Sequence, residues 1–193
     1  MIIRKIFKFE NTHIVRGCVT KKCRTSIHGH SYKIEVLFES KNLDDAQMVY
    51  DFGLMKGYMQ DLIESFDHSV TLWNKDDAGY IAAMKKYSDR WVELPVSPTA
   101  EQFARVIFLM VDLLLTNTVF TNGEGKIAVN SVIVHETDRG YAKADVEDAY
   151  SETMGIINPN NIVFSTGVRE DWGDIDLWNK ILNSEQFINP KTI

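Results

Sequence analysis

Three histidines carry the most distinctive chemistry in the chain: His13 in "FKFENTHIV", and His28 and His30 in "CRTSIHGHSYKIEV". In an extended strand, residues two apart share a face roughly 6.6 Å apart along the axis, so His28 and His30 can converge on one ion. Gly29 between them carries no side chain and lets backbone or ligand come close. His13 ends the preceding strand-like run. If the two runs pair antiparallel, the end of the first meets the start of the second and the three rings meet. Three neutral imidazoles with an open fourth position are the ligand set of a catalytic zinc. A single histidine on an apolar face is ordinarily a hydrogen-bonded core residue; the convergence of three is what points to a metal. A rival site would use Cys18, Cys23, His28 and His30 as a closed structural zinc centre. Its C-x4-C-x4-H-x-H spacing lacks the short C-x2-C knuckle, and it leaves His13 without a role.

Further reactive groups lie along the chain. "FDHS" sets Asp67 beside His68, and a carboxylate that orients an imidazole is a standard acid/base unit, although any Asp-His dipeptide at a helix end could instead be a cap. Glu136 in "VIVHETDRG" shares a strand face with Val132 and Val134. Such a carboxylate is commonly an edge residue; if buried it needs a partner, and a flat amidine-like heterocycle edge offers two donors. Residues 16–24, "RGCVTKKCR", hold Arg16, Lys21, Lys22 and Arg24 with no acid among them. That run reads as a solvated loop or as an anion clamp.

The elements that must position these groups follow from periodicity. "IIRKIFKFENTHI" is a first strand, with Phe7, Phe9, Asn11 and His13 on one face. A loop spans 14–27. A second strand from about 29 to 40 turns His30, Tyr32, Ile34, Val36 and Phe38 one way. Asp51 is expected to cap a helix with the stripe Phe52, Met55, Met59, Leu62, Ile63 and Phe66. "DAGYIAAMKKYSD" is a short helix and "RWVELPV" an extended piece. "SPTAEQFARVIFLMVDLLLTN" is a second long helix, with Thr99 and Gln102 as a capping box. "KIAVNSVIVHET" and "GYAKADVE" form a hairpin around "TDRG". The order β-β-α-α-β-β predicts an α+β domain over 1–149, a four-stranded antiparallel sheet with two helices on one face. Residues 150–193 form a C-terminal extension, with "WGDIDLWNKILNSEQF" as a short helix carrying Trp172 and Trp178.

Composition narrows the class. The 193 residues are 45% hydrophobic and 25% charged, the balance of an ordinary globular protein. The apolar stretch "VIFLMVDLLL" is broken by Asp112 and is too short to span a bilayer, and the charged N-terminus does not read as a signal peptide. A net charge of −6 argues against broad phosphate-backbone binding. Two cysteines are too few for a secreted disulfide scaffold, so a cytoplasmic protein without nucleic-acid or membrane partners is expected.

These stretches in this order, together with "VYDFGLMK", "FDHSVTLW" and "SPTAEQFA", resemble the 6-pyruvoyltetrahydropterin and 6-carboxytetrahydropterin synthase family over residues 1 to about 146. The resemblance implies a tunnelling fold, in which trimers close their sheets into a barrel and two trimers stack as a hexamer with active sites between subunits. It implies Zn2+ on His13, His28 and His30, Cys23 as catalytic thiol, and Asp67 with His68 as the proton-transfer pair serving a neighbour's zinc. Glu136 would anchor the pterin ring, Thr99 would touch it, and Lys22 and Arg24 would meet a triphosphate. The implied substrate is 7,8-dihydroneopterin triphosphate. Cleavage to 6-carboxytetrahydropterin, acetaldehyde and triphosphate, toward queuosine, is the expected outcome because the likeness is to bacterial members. Elimination to 6-pyruvoyltetrahydropterin is the alternative, and a non-enzymatic zinc module is a third reading. Cys18 is extra to the resemblance, the segment 75–98 is longer than in compact members of the family, and the tail 150–193 finds no counterpart in it.

Overall fold

The computed structural model describes residues 1–52 and 56–189. Two long strands organise it. Strand β1, Ile2–His13, pairs antiparallel with β2, His28–Glu39, from Ile2 opposite Glu39 to His13 opposite His28. Alternation sends Phe7, Phe9, Tyr32, Ile34, Val36 and Phe38 to one face, where all are buried. The segment between the strands, expected as loop, includes the single-turn helix α1, Lys21–Thr25.

After β2 come α2 (Tyr58–Glu64), β3 (Ser69–Trp73), α3 (Ala78–Tyr87), β4 (Trp91–Leu94) and α4 (Ala100–Thr116). Then follow β5 (Thr118–Phe120), β6 (Ala128–Thr137), β7 (Gly140–Ala144) and α5 (Val146–Ala149). The tail adds β8 (Val163–Phe164), α6 (Thr166–Arg169), α7 (Leu177–Leu182) and β9 (Phe187–Asn189). The expected four antiparallel strands are present as β7-β6-β2-β1, and the sheet continues through β3, β4 and β8 to seven strands. β3 pairs parallel with both β1 and β4. Its sequence, "SVTLW", shows no alternation because four of its five residues are buried, and the period-2 signal fails when both faces are covered.

Helix α4 covers the inner face of the sheet. Phe103, Val106, Ile107 and Met110 are fully buried, each contributing about 1.5–3 kcal/mol of transfer free energy. Its cap is half of the expected box: Thr99 Oγ1 accepts from Gln102 N at 3.3 Å, but the Gln102 amide turns away to Met154 O and Arg105. The helix expected from Asp51 starts only at Tyr58, because Gly57 at φ +97° breaks the backbone path. Phe52 is about half exposed and Met55 lies outside the described residues, whereas Met59, Leu62, Ile63 and Phe66 are buried as the stripe requires. The "GYAKADVE" strand ends at Ala144, where Asp145 starts α5 with a complete capping box to Asp148.

The tail folds back on this body. β8 pairs antiparallel with β4, and Phe164, Val168, Trp172, Leu177 and Trp178 join the same apolar core as Phe103 and Leu94. The helix expected over 172–187 is confined to α7, yet both of its tryptophans are buried. Arg105, buried on α4, ties the start of the tail down. Its Nε donates to Asp148 O, Nη1 to Gln102 Oε1 and Met154 O, and Nη2 to Ser151 O and Gly155 O, all within 2.8 Å. Its whole donor set is thereby used. Among the described residues no helix is long and apolar enough to cross a membrane.

Candidate active site

The β1–β2 register places His13 directly opposite His28, with Asn11 opposite His30. Cross-strand partners share a face, so all three imidazoles gather where β1 ends and β2 begins. One nitrogen from each lies within 4.8 Å of the others. Gly29 is required here by the neighbouring strand, since a β-carbon would stand 2.9 Å from the Asn11 carbonyl oxygen.

The second nitrogens set the tautomers. His13 Nδ1 lies 2.6 Å from Pro98 O, and His28 Nδ1 lies 3.1 Å from Ser26 O. A carbonyl only accepts, so each Nδ1 carries the proton and each Nε2 keeps its lone pair. Those two Nε2 atoms face each other at 3.2 Å. Two bare lone pairs repel at that range unless a cation or proton lies between them. Ligand atoms held ~2.0–2.1 Å from a tetrahedral ion lie roughly 3.3 Å apart, so the donor set fits a zinc-like metal. Burial drives the His13 pKa down to about 4, against the Pro98 hydrogen bond that raises it, and His28 and His30 lower it further. The ring is neutral at neutral pH, as a ligand must be.

Glu136 and Tyr32 border the cluster. Glu136 Oε1 is 3.8 Å from both His13 Nε2 and His30 Nε2, and it accepts a hydrogen bond from Tyr32 at 3.2 Å. Burial, and then the Glu136 charge, push the Tyr32 phenol far upward, so it stays a donor. Sequence alone sets Tyr32 on the His30 face of β2 but gives it no role; its place two residues after His30 was the available signal. Neither cysteine belongs to the metal-ligand group, so the rival Cys18–Cys23–His28–His30 centre is not formed. Cys23 sits on α1, partly exposed, with its carbonyl bonded to Val15 N. Cys18 Sγ contacts Thr20 O. Lys22 and Arg24 are exposed on α1, but Arg16 is not free for an anion: its Nε binds both Asp76 oxygens, at 2.8 and 3.0 Å. Thr99 caps α4 immediately after the Pro98 carbonyl that holds His13.

Asp67 and His68 bond to one another at 2.8 Å (Oδ2 to Nδ1). His68 opens to a recess of about 470 Å³ whose lining includes Glu10, Thr12, Gly29 and Ser31 but also Asn11 and His30. The His68 N–H donates to Glu10 O, so by register His68 lies beside Glu10, at a position whose parity is opposite to that of His13. Asn11 grips the turn from inside, its Nδ2 donating to Phe66 O at 2.8 Å and Ser69 O at 2.9 Å. Sequence reading placed Asn11 on the right face without assigning it this clamp.

A three-histidine cluster able to hold a metal, at one end of a helix-backed sheet with a carboxylate and a phenol beside it, is the arrangement expected of a tunnelling-fold enzyme. The 6-pyruvoyl tetrahydropterin synthase family matches residues 2–147, and the chain belongs to that family. It is 37% identical over 187 residues to the 6-carboxy-5,6,7,8-tetrahydropterin synthase of Helicobacter pylori 26695, covering 96% of this chain and 94% of that one. It is 31% identical to the enzyme of the same name from Aquifex aeolicus, over 70% of this chain and 91% of that one. Coverage of 96% takes in most of the tail, so residues 150–193 do have a counterpart in a relative, contrary to the sequence reading. A crystal structure of an uncharacterized Wolinella succinogenes protein shares the fold, at TM-score 0.59 and 18% identity over 76% of this chain and 98% of that one. A 6-pyruvoyl tetrahydropterin synthase from Plasmodium vivax does so at TM-score 0.50 and 18% identity, over 75% and 97%.

Proposed function

We propose that this protein is a zinc-dependent 6-carboxy-5,6,7,8-tetrahydropterin synthase that converts 7,8-dihydroneopterin triphosphate to 6-carboxytetrahydropterin, acetaldehyde and triphosphate. The observation that carries the reading is the pair of Nε2 lone pairs at 3.2 Å within a three-histidine cluster, in a chain so similar to a carboxy synthase. His13, His28 and His30 would hold the zinc, which would supply Lewis acidity toward the substrate's side-chain oxygens. Glu136 accepts from the pterin's amidine-like edge, steadied by the Tyr32 hydroxyl, and Thr99 borders the ring. Cys23, as thiolate, takes a proton from the substrate side chain. Asp67 orients the His68 ring, which moves a proton at its Nε2. Lys22 and Arg24 offer exposed charge to the triphosphate.

By register His68 lies beside Glu10, on the parity opposite to His13, and a complete site takes this pair from a neighbouring subunit. That supports a homo-oligomer, two stacked trimers, with sites between chains. The product places the enzyme in queuosine and deazapurine synthesis in the cytoplasm. Incubation with 7,8-dihydroneopterin triphosphate and mass spectrometry tests the reaction. The expected result is 6-carboxytetrahydropterin with stoichiometric acetaldehyde; 6-pyruvoyltetrahydropterin would establish the elimination instead, and no turnover by metal-loaded oligomer would overturn both.

A further inference from the structure

A second polar network joins three segments far apart in sequence: the turn after α2, Arg90 at the start of β4, and residues 165–173. The peptide unit between Asp67 and His68 is held at both ends. Its N–H donates to Glu10 O at 2.7 Å, and its carbonyl accepts from Arg90 Nε at 3.0 Å and from Ser69 Oγ at 3.2 Å. The grip matters because His68 lies at φ +51°, the left-handed region that a β-carbon disfavours. A peptide released from either end can rotate out of that conformation and carry the imidazole with it.

Arg90 is in turn set by the tail. Its Nη1 donates to Gly167 O at 3.1 Å and pairs with Asp171 Oδ2, while Nη2 reaches Glu64 O at 3.4 Å. Two more bonds fix the adjoining tail residues to the end of the helix that leads into the turn: Trp172 Nε1 to Ser65 Oγ and Gly173 N to Asp61 Oδ2, each at 3.0 Å. A planar guanidinium can reach these acceptors together; a lysine ammonium on its single stem cannot.

We propose that Arg90, anchored by the C-terminal extension, is a positioning residue for the Asp67–His68 pair. Residues 165–173 then act on the reaction without touching substrate. The inference rests on the proton-transfer reading of that pair. It gives a shared task to two regions that sequence left without one, the long 75–98 segment and the tail.

Steady-state kinetics of the assembled, metal-loaded full-length protein test it in a cycle of Arg90→Ala, His68→Ala and the double variant. Arg90→Ala is expected to lower kcat about 10-fold with KM within about twofold, since misaiming a catalytic group costs rate and not uniform binding. In the His68→Ala background the same change should cost nothing further, because its effect passes through the missing ring. An equal loss in both backgrounds would make Arg90 a general stabiliser and overturn the inference. So would an unchanged kcat in Arg90→Ala alone. If His68→Ala itself keeps full activity, the reading of the pair fails and takes this role with it. Should Arg90→Ala not fold, Asp171→Asn, at a side chain 72% exposed, runs the same cycle. Its expected loss is about threefold in the native background and none beside His68→Ala.

Discussion

The histidine cluster and the tail both depend on side chains meeting across long stretches of sequence, yet they differ in what those side chains meet. At the β1–β2 junction, imidazole meets imidazole, and the partners are themselves distinctive residues. In the tail, Arg105 and Arg90 meet mostly backbone carbonyls, which every residue offers. A pattern can therefore announce the first kind of site and is silent about the second. The lesson is that a buried guanidinium with carbonyl partners can matter as much as a motif while leaving no motif behind.

The sharpest way to break this contrast is to remove a ligand. His13→Ala should strip metal and abolish turnover together, measured by metal analysis beside kinetics; full occupancy would mean that the cluster is not the metal site. Next in size, Cys23→Ala should keep its metal and lose about 10²–10⁴ in rate, the usual worth of a positioned acid or base. Cys18→Ala should be close to silent, and metal loss in both variants would return the structural zinc module to consideration. Glu136→Ala is expected to weaken binding of a pterin inhibitor, read by calorimetry, with metal content unchanged. In the other region, Arg105→Met leaves the carbonyls it serves without that donor. It should cost about 2–4 kcal/mol, seen as a lower Tm, while metal content per folded chain stays constant. The smallest effect belongs to Lys22→Ala and Arg24→Ala, which should raise KM for the triphosphate more than for a dephosphorylated analogue. Equal changes with both substrates would reduce α1 to a structural turn.

Much of the architecture was legible because its causes are local and periodic. The alternation of β1 and β2 gave both the antiparallel pair and the face on which His13, His28 and His30 lie. The α4 stripe read correctly for the same reason. β3 leaves no periodic signal because burial on both faces erases its alternation, and the apolar stripe before it overstates the helix because it does not register the break at Gly57. Tyr32 hid inside an apolar pattern, since a phenol on a core face looks like core until a carboxylate is found beside it. Asn11 hid in the same way.

Arg90 and Asp171 are 81 residues apart in the chain, and this separation has a consequence during synthesis. At translation rates of about 5–20 residues per second, roughly 4–16 s pass between the addition of one and of the other. Throughout that interval a nascent chain can already hold β1, β2 and their histidines, while the guanidinium beside His68 waits for its acidic partner. The end of the molecule that carries the three histidines can thus assemble on the ribosome well before the turn that carries Asp67 and His68 is locked.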